Sequence, residues 1–203
     1  MELESDPTSQ GSASARSTVP QARELACRVL SGNPERIRHS AAVAARAAAL
    51  RGAVAPGQAD LLIAAAWVHD IGYATALQDT KFHPLDGARF LRFIGWEPLL
   101  CNLVAHHSGS RFVAAVKGLD AALDEFDFTE DPLSDALTIA DQTIGPNGLP
   151  CSVEERMSDM LQRHGPDSPN ARAHPQRGTY IRSALQRVTS RLNVDESRLS
   201  PMD

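Results

Sequence analysis

Apolar positions along the chain recur at spacings of three and four, and Pro, Gly and capping residues punctuate the runs they form. The pattern predicts helices and no strand of convincing length. Pro20 opens a helix through Leu30, with Leu25, Ala26, Val29 and Leu30 on one side and Gly32 as its stop. Asn33-Pro34 starts an Ala-rich helix that runs to Arg51, with Ile37, Val43, Ala44, Ala47 and Leu50 inward. Residues 59–70 are apolar nearly all round, which predicts a central buried helix ending on His69-Asp70. Pro84 opens a helix to about Gly95, and Glu97-Pro98 starts another whose apolar stretch Leu99 to Val104 closes on His106-His107-Ser108-Gly109. A short helix is expected over Arg111 to Lys117, followed by an acidic, aromatic turn, Asp124 to Phe128, that reads as solvated loop. Asp131-Pro132 caps a helix over Leu133 to Ile144, and Gly145-Pro146-Asn147-Gly148 breaks it. Ser152-Val153-Glu154-Glu155 is a capping box for an amphipathic helix to Gly165. After a polar, Pro-containing loop, a last helix is expected from Gln176 to Leu192.

The expected fold is therefore all-α, a single compact bundle over residues 20–194 in which the helices of 152–193 pack on a core spanning about 35–145. Residues 1–19 have too few large apolar groups to offset chain ordering and read as a disordered leader, and residues 195–203 as a flexible tail. With 203 residues, 42% of them hydrophobic, the chain can bury a substantial core. The net charge of −5, without a cluster of Lys and Arg, excludes general nucleic-acid binding. No apolar run approaches the ~18 residues of a membrane span. Cys27, Cys101 and Cys151 lie far apart with no C-x-x-C spacing, so neither a disulfide framework nor a thiolate zinc site is expected, and a reducing cytoplasm fits.

Several polar residues fall where the pattern is apolar. An unpaired Asp70 at the end of a buried helix costs several kcal/mol, which a metal ion or an Arg partner removes. His69 and Asp70, about 100° apart on a helix, can address two sides of one ion, or Asp70 can lie between two. Asp141 stands on the apolar face of its helix and wants a cation in the same way. His39 lies near the start of the Ala-rich helix, and His83 at or just before a helix N-terminus. Of His106 and His107, one is expected to face the site and the other to sit behind it.

The ordered set His39, His69-Asp70 and Asp141 resembles the HD-domain superfamily of metal-dependent phosphohydrolases, and Ile71-Gly72 after the pair resembles its HDIG branch. His83, in His-Pro-x-x-Gly-Ala, and His106, in His-His, match positions that bind a second metal in dinuclear members. The resemblance implies that His39, His69, Asp70 and Asp141 hold one divalent ion, with Asp70 bridging to another on His83 and His106, and that His69 and Asp70 are catalytic. This N and O donor set suits Mn, Fe, Co, Ni or Mg, and Zn less distinctively. The implied activity is hydrolysis of a small phosphorylated metabolite or nucleotide by a metal-bound hydroxide. Lys81, Arg89 and Arg111 are candidates to hold phosphate oxygens, with His107 and Tyr73 in the outer shell or on the substrate. Tyr73 and Gln142 occupy positions where Lys is common in phosphohydrolases of this type, and no Gly-Tyr-Pro follows the His pair, so the cyclic-dinucleotide branch is not supported. Other superfamily members with these ligands are di-iron oxygenases. A regulatory module with a structural metal is the non-catalytic alternative.

Overall fold

The computed structural model describes residues 18–196 and residue 199. The helices that begin at Val19, Pro34, Pro132, Val153 and Pro169 have a side-chain cap for otherwise orphaned backbone N–H groups, and those that begin at His83 and Pro98 have a proline in the first turn, which has no N–H to orphan. The order is α1 (Val19–Val29), α2 (Pro34–Ala49), α3 (Ala59–Val68), α4 (His83–Phe93), α5 (Pro98–His106), α6 (Ser110–Lys117), α7 (Asp120–Leu123), α8 (Pro132–Gln142), α9 (Val153–His164) and α10 (Pro169–Leu192). The all-α expectation holds: the described residues contain no strand, only an isolated antiparallel bridge between Ile144 and Pro150 across the turn after α8. No described helix is long and apolar enough to cross a membrane.

The structure departs from expectation in several places. Thr18 caps α1 and Val19 opens it, the Thr18 and Gln21 side chains forming a reciprocal capping box; residues 1–17 of the expected leader lie outside the described residues. Helix α3 stops at Val68, so His69 and Asp70 lie in the turn beyond it. Helix α10 begins seven residues before Gln176, because the Ser168 side chain accepts from the Ala171 N–H and Pro169 takes the first turn; Pro175 is absorbed inside the helix. The acidic turn after α7 is only half solvated: Phe126 is buried and Phe128 packs on the core, while Glu125 turns outward to Arg89 and Arg92. Of the expected tail, Leu199 is buried and its carbonyl accepts from Arg46 Nη2 at 3.1 Å; residues 197, 198 and 200–203 lie outside the described residues.

Helix α3 is the hub, touching α1, α2, α5 and α8. Its Leu62, Ala64, Ala65, Ala66 and Val68 are all fully buried. Alanine on this surface lets neighbouring backbones approach closely, and each large side chain buried beside it contributes about 1.5–3 kcal/mol. Helix α10 crosses α6, α8 and α9. It is tied to α8 by the fully buried Asp135, which accepts from Arg187 Nη2 at 2.6 Å and Arg191 Nη1 at 2.8 Å.

Candidate metal centre

The buried ends of α3 and α5 are built alike. Each leaves carbonyls without an intrahelical donor, and the first residue beyond each helix is a histidine that supplies one. His69 Nδ1 donates to the Ala66 carbonyl at 2.8 Å, and His107 Nδ1 donates to the Val104 carbonyl at 2.6 Å. His39, on α2, donates from Nδ1 to the Gly145 carbonyl at 3.0 Å in the loop after α8. Three ring orientations and tautomers are thereby set, and a neutral ring then presents its Nε2 lone pair to the interior.

Those lone pairs converge on carboxylates. His39 Nε2 is 3.0 Å from Asp141 Oδ1 and 3.8 Å from Asp70 Oδ2. His69 Nε2 is buried without a hydrogen-bond partner, 3.5 Å from Asp70 Oδ2 and 3.7 Å from Asp141 Oδ1. His83, at the start of α4, brings Nε2 to 3.2 Å from Asp70 Oδ1 and 3.3 Å from His107 Nε2. Lone pairs facing carboxylates and each other inside a protein are costly unless protons or a cation lie between them. Two overlapping groups could each hold an ion: His39, His69 and Asp141, and His69, Asp70 and His107, with ligand atoms inside 4.8 Å of one another.

The electrostatics match a cation site. Burial works against ionising Asp70, but the His69 and His83 rings and the Arg36 guanidinium outweigh it and hold the carboxyl well below its usual range. Burial likewise opposes ionisation of Asp141, and His39, with the nearby His69, overcomes it when a proton rather than a metal ion lies between His39 Nε2 and Asp141 Oδ1. Burial pushes His107 down to about 3, with His69 and His83 adding to the shift, so this ring stays neutral and able to ligate.

Backbone contact explains why Ile-Gly follows the His-Asp pair. A Cβ on Gly72 would sit 2.1 Å from the His83 carbonyl oxygen and 2.7 Å from the Gly87 nitrogen. Only glycine lets the turn after Asp70 lie against the first turn of α4, the approach that carries His83 to Asp70. Asp86 braces the preceding loop, accepting from the Thr80 N–H at 3.0 Å and the Thr80 hydroxyl at 2.7 Å.

The polar surround was less legible. Arg36 Nη1 donates to Asp70 Oδ2 at 2.9 Å, and its guanidinium lies 4.2 Å from the Tyr73 ring centroid. Tyr73 in turn stacks on His83 at 4.0 Å. Ser108, in the left-handed conformation at φ 54°, donates its hydroxyl to Asp141 Oδ2, which also accepts from Gln142 Nε2 at 2.8 Å. The Ser108 carbonyl accepts from Arg177 Nε at 2.7 Å. Arg36 stands three residues before His39 on one helix face, a spacing that could have found it. Nothing in the local sequence marks Ser108 or Arg177.

The structure brings together His39, His69, Asp70, His83 and Asp141, and corrects the reading of the His pair. His106, the last residue of α5, turns away, with Nε2 2.8 Å from the Phe126 carbonyl; His107 faces the centre, because the residue after the helix end points back into the bundle. Arg89 and Arg111 are also reassigned. Arg89 pairs with Glu125 on the outer surface, and Arg111 is packed among the rings of Phe112, Phe128 and Tyr180. Lys81 and Tyr73 do line the cavity of about 460 Å³ that opens over Asp70 and Asp141.

The sequence model of the family described as HD domain matches residues 36–142, from the start of α2 to the end of α8. No curated protein and no solved structure matches the chain.

Proposed function

The chain belongs to the HD-domain family, and from that premise we propose that it is a metal-dependent phosphohydrolase acting on a small phosphorylated metabolite or nucleotide. The observation that carries the reading is the convergence of the Nε2 atoms of His39, His69 and His107 on the carboxylates of Asp70 and Asp141, at the floor of a cavity of about 460 Å³. Such a donor set of nitrogen and oxygen fits one or two divalent ions of the Mn, Fe, Co, Ni, Mg or Zn kind. An ion held there supplies Lewis acidity, activating water and neutralising charge that develops on phosphoryl oxygens.

This chain's own residues do the positioning. His39, His69 and His107 spend Nδ1–H on backbone carbonyls and so keep their rings fixed. Arg36 and Tyr73 form a stack against His83 that holds it beside Asp70. Ser108 and Gln142 orient Asp141. Lys81 and Lys117 line the same cavity and offer donors to phosphate oxygens.

The test pairs elemental analysis of the purified protein with phosphate release, followed across sugar phosphates and nucleotides, in air and without oxygen. Bound divalent metal and oxygen-independent phosphate release, both lost in His69→Ala and Asp70→Ala, are expected. Turnover that requires iron and consumes oxygen would replace the hydrolase with an oxygenase. A well-folded protein that takes up no metal would remove the enzyme reading altogether.

A further inference from the structure

The cavity has a second charged wall that the metal centre does not use. It comes from α9 and α10, beyond the residues matched by the family, and contains Arg156, Arg163 and Arg177. Arg156 and Arg163 share one carboxylate, Asp159, at 3.6 Å and 2.7 Å. The Arg156 Nε is buried without a hydrogen-bond partner. Arg177 spends its Nε on the Ser108 carbonyl, which leaves its two terminal nitrogens for another acceptor. Burial disfavours the charge of Arg177, and the nearby Arg156 adds to that, a repulsion that an anion between them relieves. The chain as a whole carries a net charge of −5, yet six Lys and Arg line this cavity; Arg36 is paired with Asp70, and the single carboxylate of Asp159 is shared by Arg156 and Arg163, so the three arginines of α9 and α10 outnumber the carboxylate that pairs with them.

One reacting phosphoryl group does not call for this much positive charge, and the cavity holds far more than a phosphate. We propose that the substrate carries a second phosphoryl group, held by Arg156, Arg163 and Arg177 while the first lies at the histidine-aspartate floor. The proposal rests on the hydrolase reading for the first phosphate, whereas the arginine wall is a binding site in its own right. Planar guanidinium forks on α9 and α10 match phosphate oxygens in pairs, which makes them selective for a second phosphate over a neutral substituent.

Calorimetric titration of the metal-loaded protein with glucose 6-phosphate and with glucose 1,6-bisphosphate compares one phosphate with two on the same sugar. The bisphosphate is expected to bind more tightly by about tenfold or more, the scale of one or two charge-assisted bonds. Arg156→Ala and Arg163→Ala are expected to erase that preference, and Arg156→Lys to restore part of it. Equal affinity of the two sugars in the wild-type protein overturns the proposal, even if a variant fails to fold. Equal loss of both sugars in a variant that melts like wild type overturns it as well. A bisphosphate preference without phosphate release would leave the subsite standing and remove the hydrolase; release without preference would do the reverse.

Discussion

Gly72→Ala tests the contact that assembles the centre. The added Cβ would lie 2.1 Å from the His83 carbonyl oxygen, 2.7 Å from Gly87 N and 2.8 Å from the His83 carbonyl carbon. All three are backbone atoms, and ordinary contact begins at 3.4 Å, so the turn and the first turn of α4 must part by more than an ångström. No flexible side chain is available to yield. Overpacking costs about 1–3 kcal/mol, and a backbone clash of this depth belongs at the upper end. For a chain of this size, about 3 kcal/mol lowers Tm by roughly 6–12 °C. Parting α4 from the turn also carries His83 Nε2 from its present 3.2 Å from Asp70 and 3.3 Å from His107, which should weaken metal binding on that side by about 10–100-fold. The group of His39, His69 and Asp141 does not involve α4 and should keep its ion. Gly87→Ala is the graded control, since its Cβ would meet Gly72 N at 3.1 Å and requires only a few tenths of an ångström. Circular-dichroism melting of the metal-free proteins and calorimetric Mn²⁺ titration read both effects. A Gly72→Ala protein that melts within about 2 °C of wild type and binds Mn²⁺ identically refutes the argument.

His107→Ala should lower metal affinity at least about tenfold, whereas His106→Ala should leave it intact and cost about 1 kcal/mol for the bond to the Phe126 carbonyl; metal titration giving the opposite ranking would mean that the other histidine faces the centre. Asp135→Ala leaves Arg187 and Arg191 without their buried partner, and because those side chains are 32% and 29% exposed, a loss near the lower end of the ~3–5 kcal/mol range is expected in urea unfolding. Metal-free protein should lose stability as pH falls below about 6.5. Burial holds His83 below the ordinary imidazole range and His107 down to about 3, so the unfolded chain binds more protons in that window; Asp70 and Asp141, both depressed, add a further loss below about pH 4, while the raised His39 works in the opposite sense. Denaturant midpoints that are flat or rise between pH 8 and 5 would contradict the sign.

Much of the bundle was legible because its signals are local. The caps at Asn33, Asp131 and Ser152 sit three residues before the N–H groups they accept from, and the apolar residues of α3 crowd every face of one short segment. His69, Asp70 and Asp141, now gathered at the centre, stood out as polar groups in runs that otherwise bury themselves, whereas His39 and His83 were singled out by the resemblance to the family. His107 was misassigned because its role depends on where α5 ends to within one residue, and a one-residue shift turns a side chain by about 100°.

By itself the amino-acid sequence determined an all-helical chain, the ordered His39, His69-Asp70, His83 and Asp141, and the family to which they belong. Tertiary structure alone decided which member of the His106-His107 pair faces inward, why Gly72 has no side chain, and that Arg36, Ser108 and Arg177 join the site from positions with no shared local pattern. It also decided that Arg89 and Arg111 serve surface pairing and aromatic packing. The physical reason is one of range. Caps and periodicity act within a few residues of chain, whereas donors and charges from α2, the turn after α3, α5, α8, α9 and α10 meet only after the core has packed.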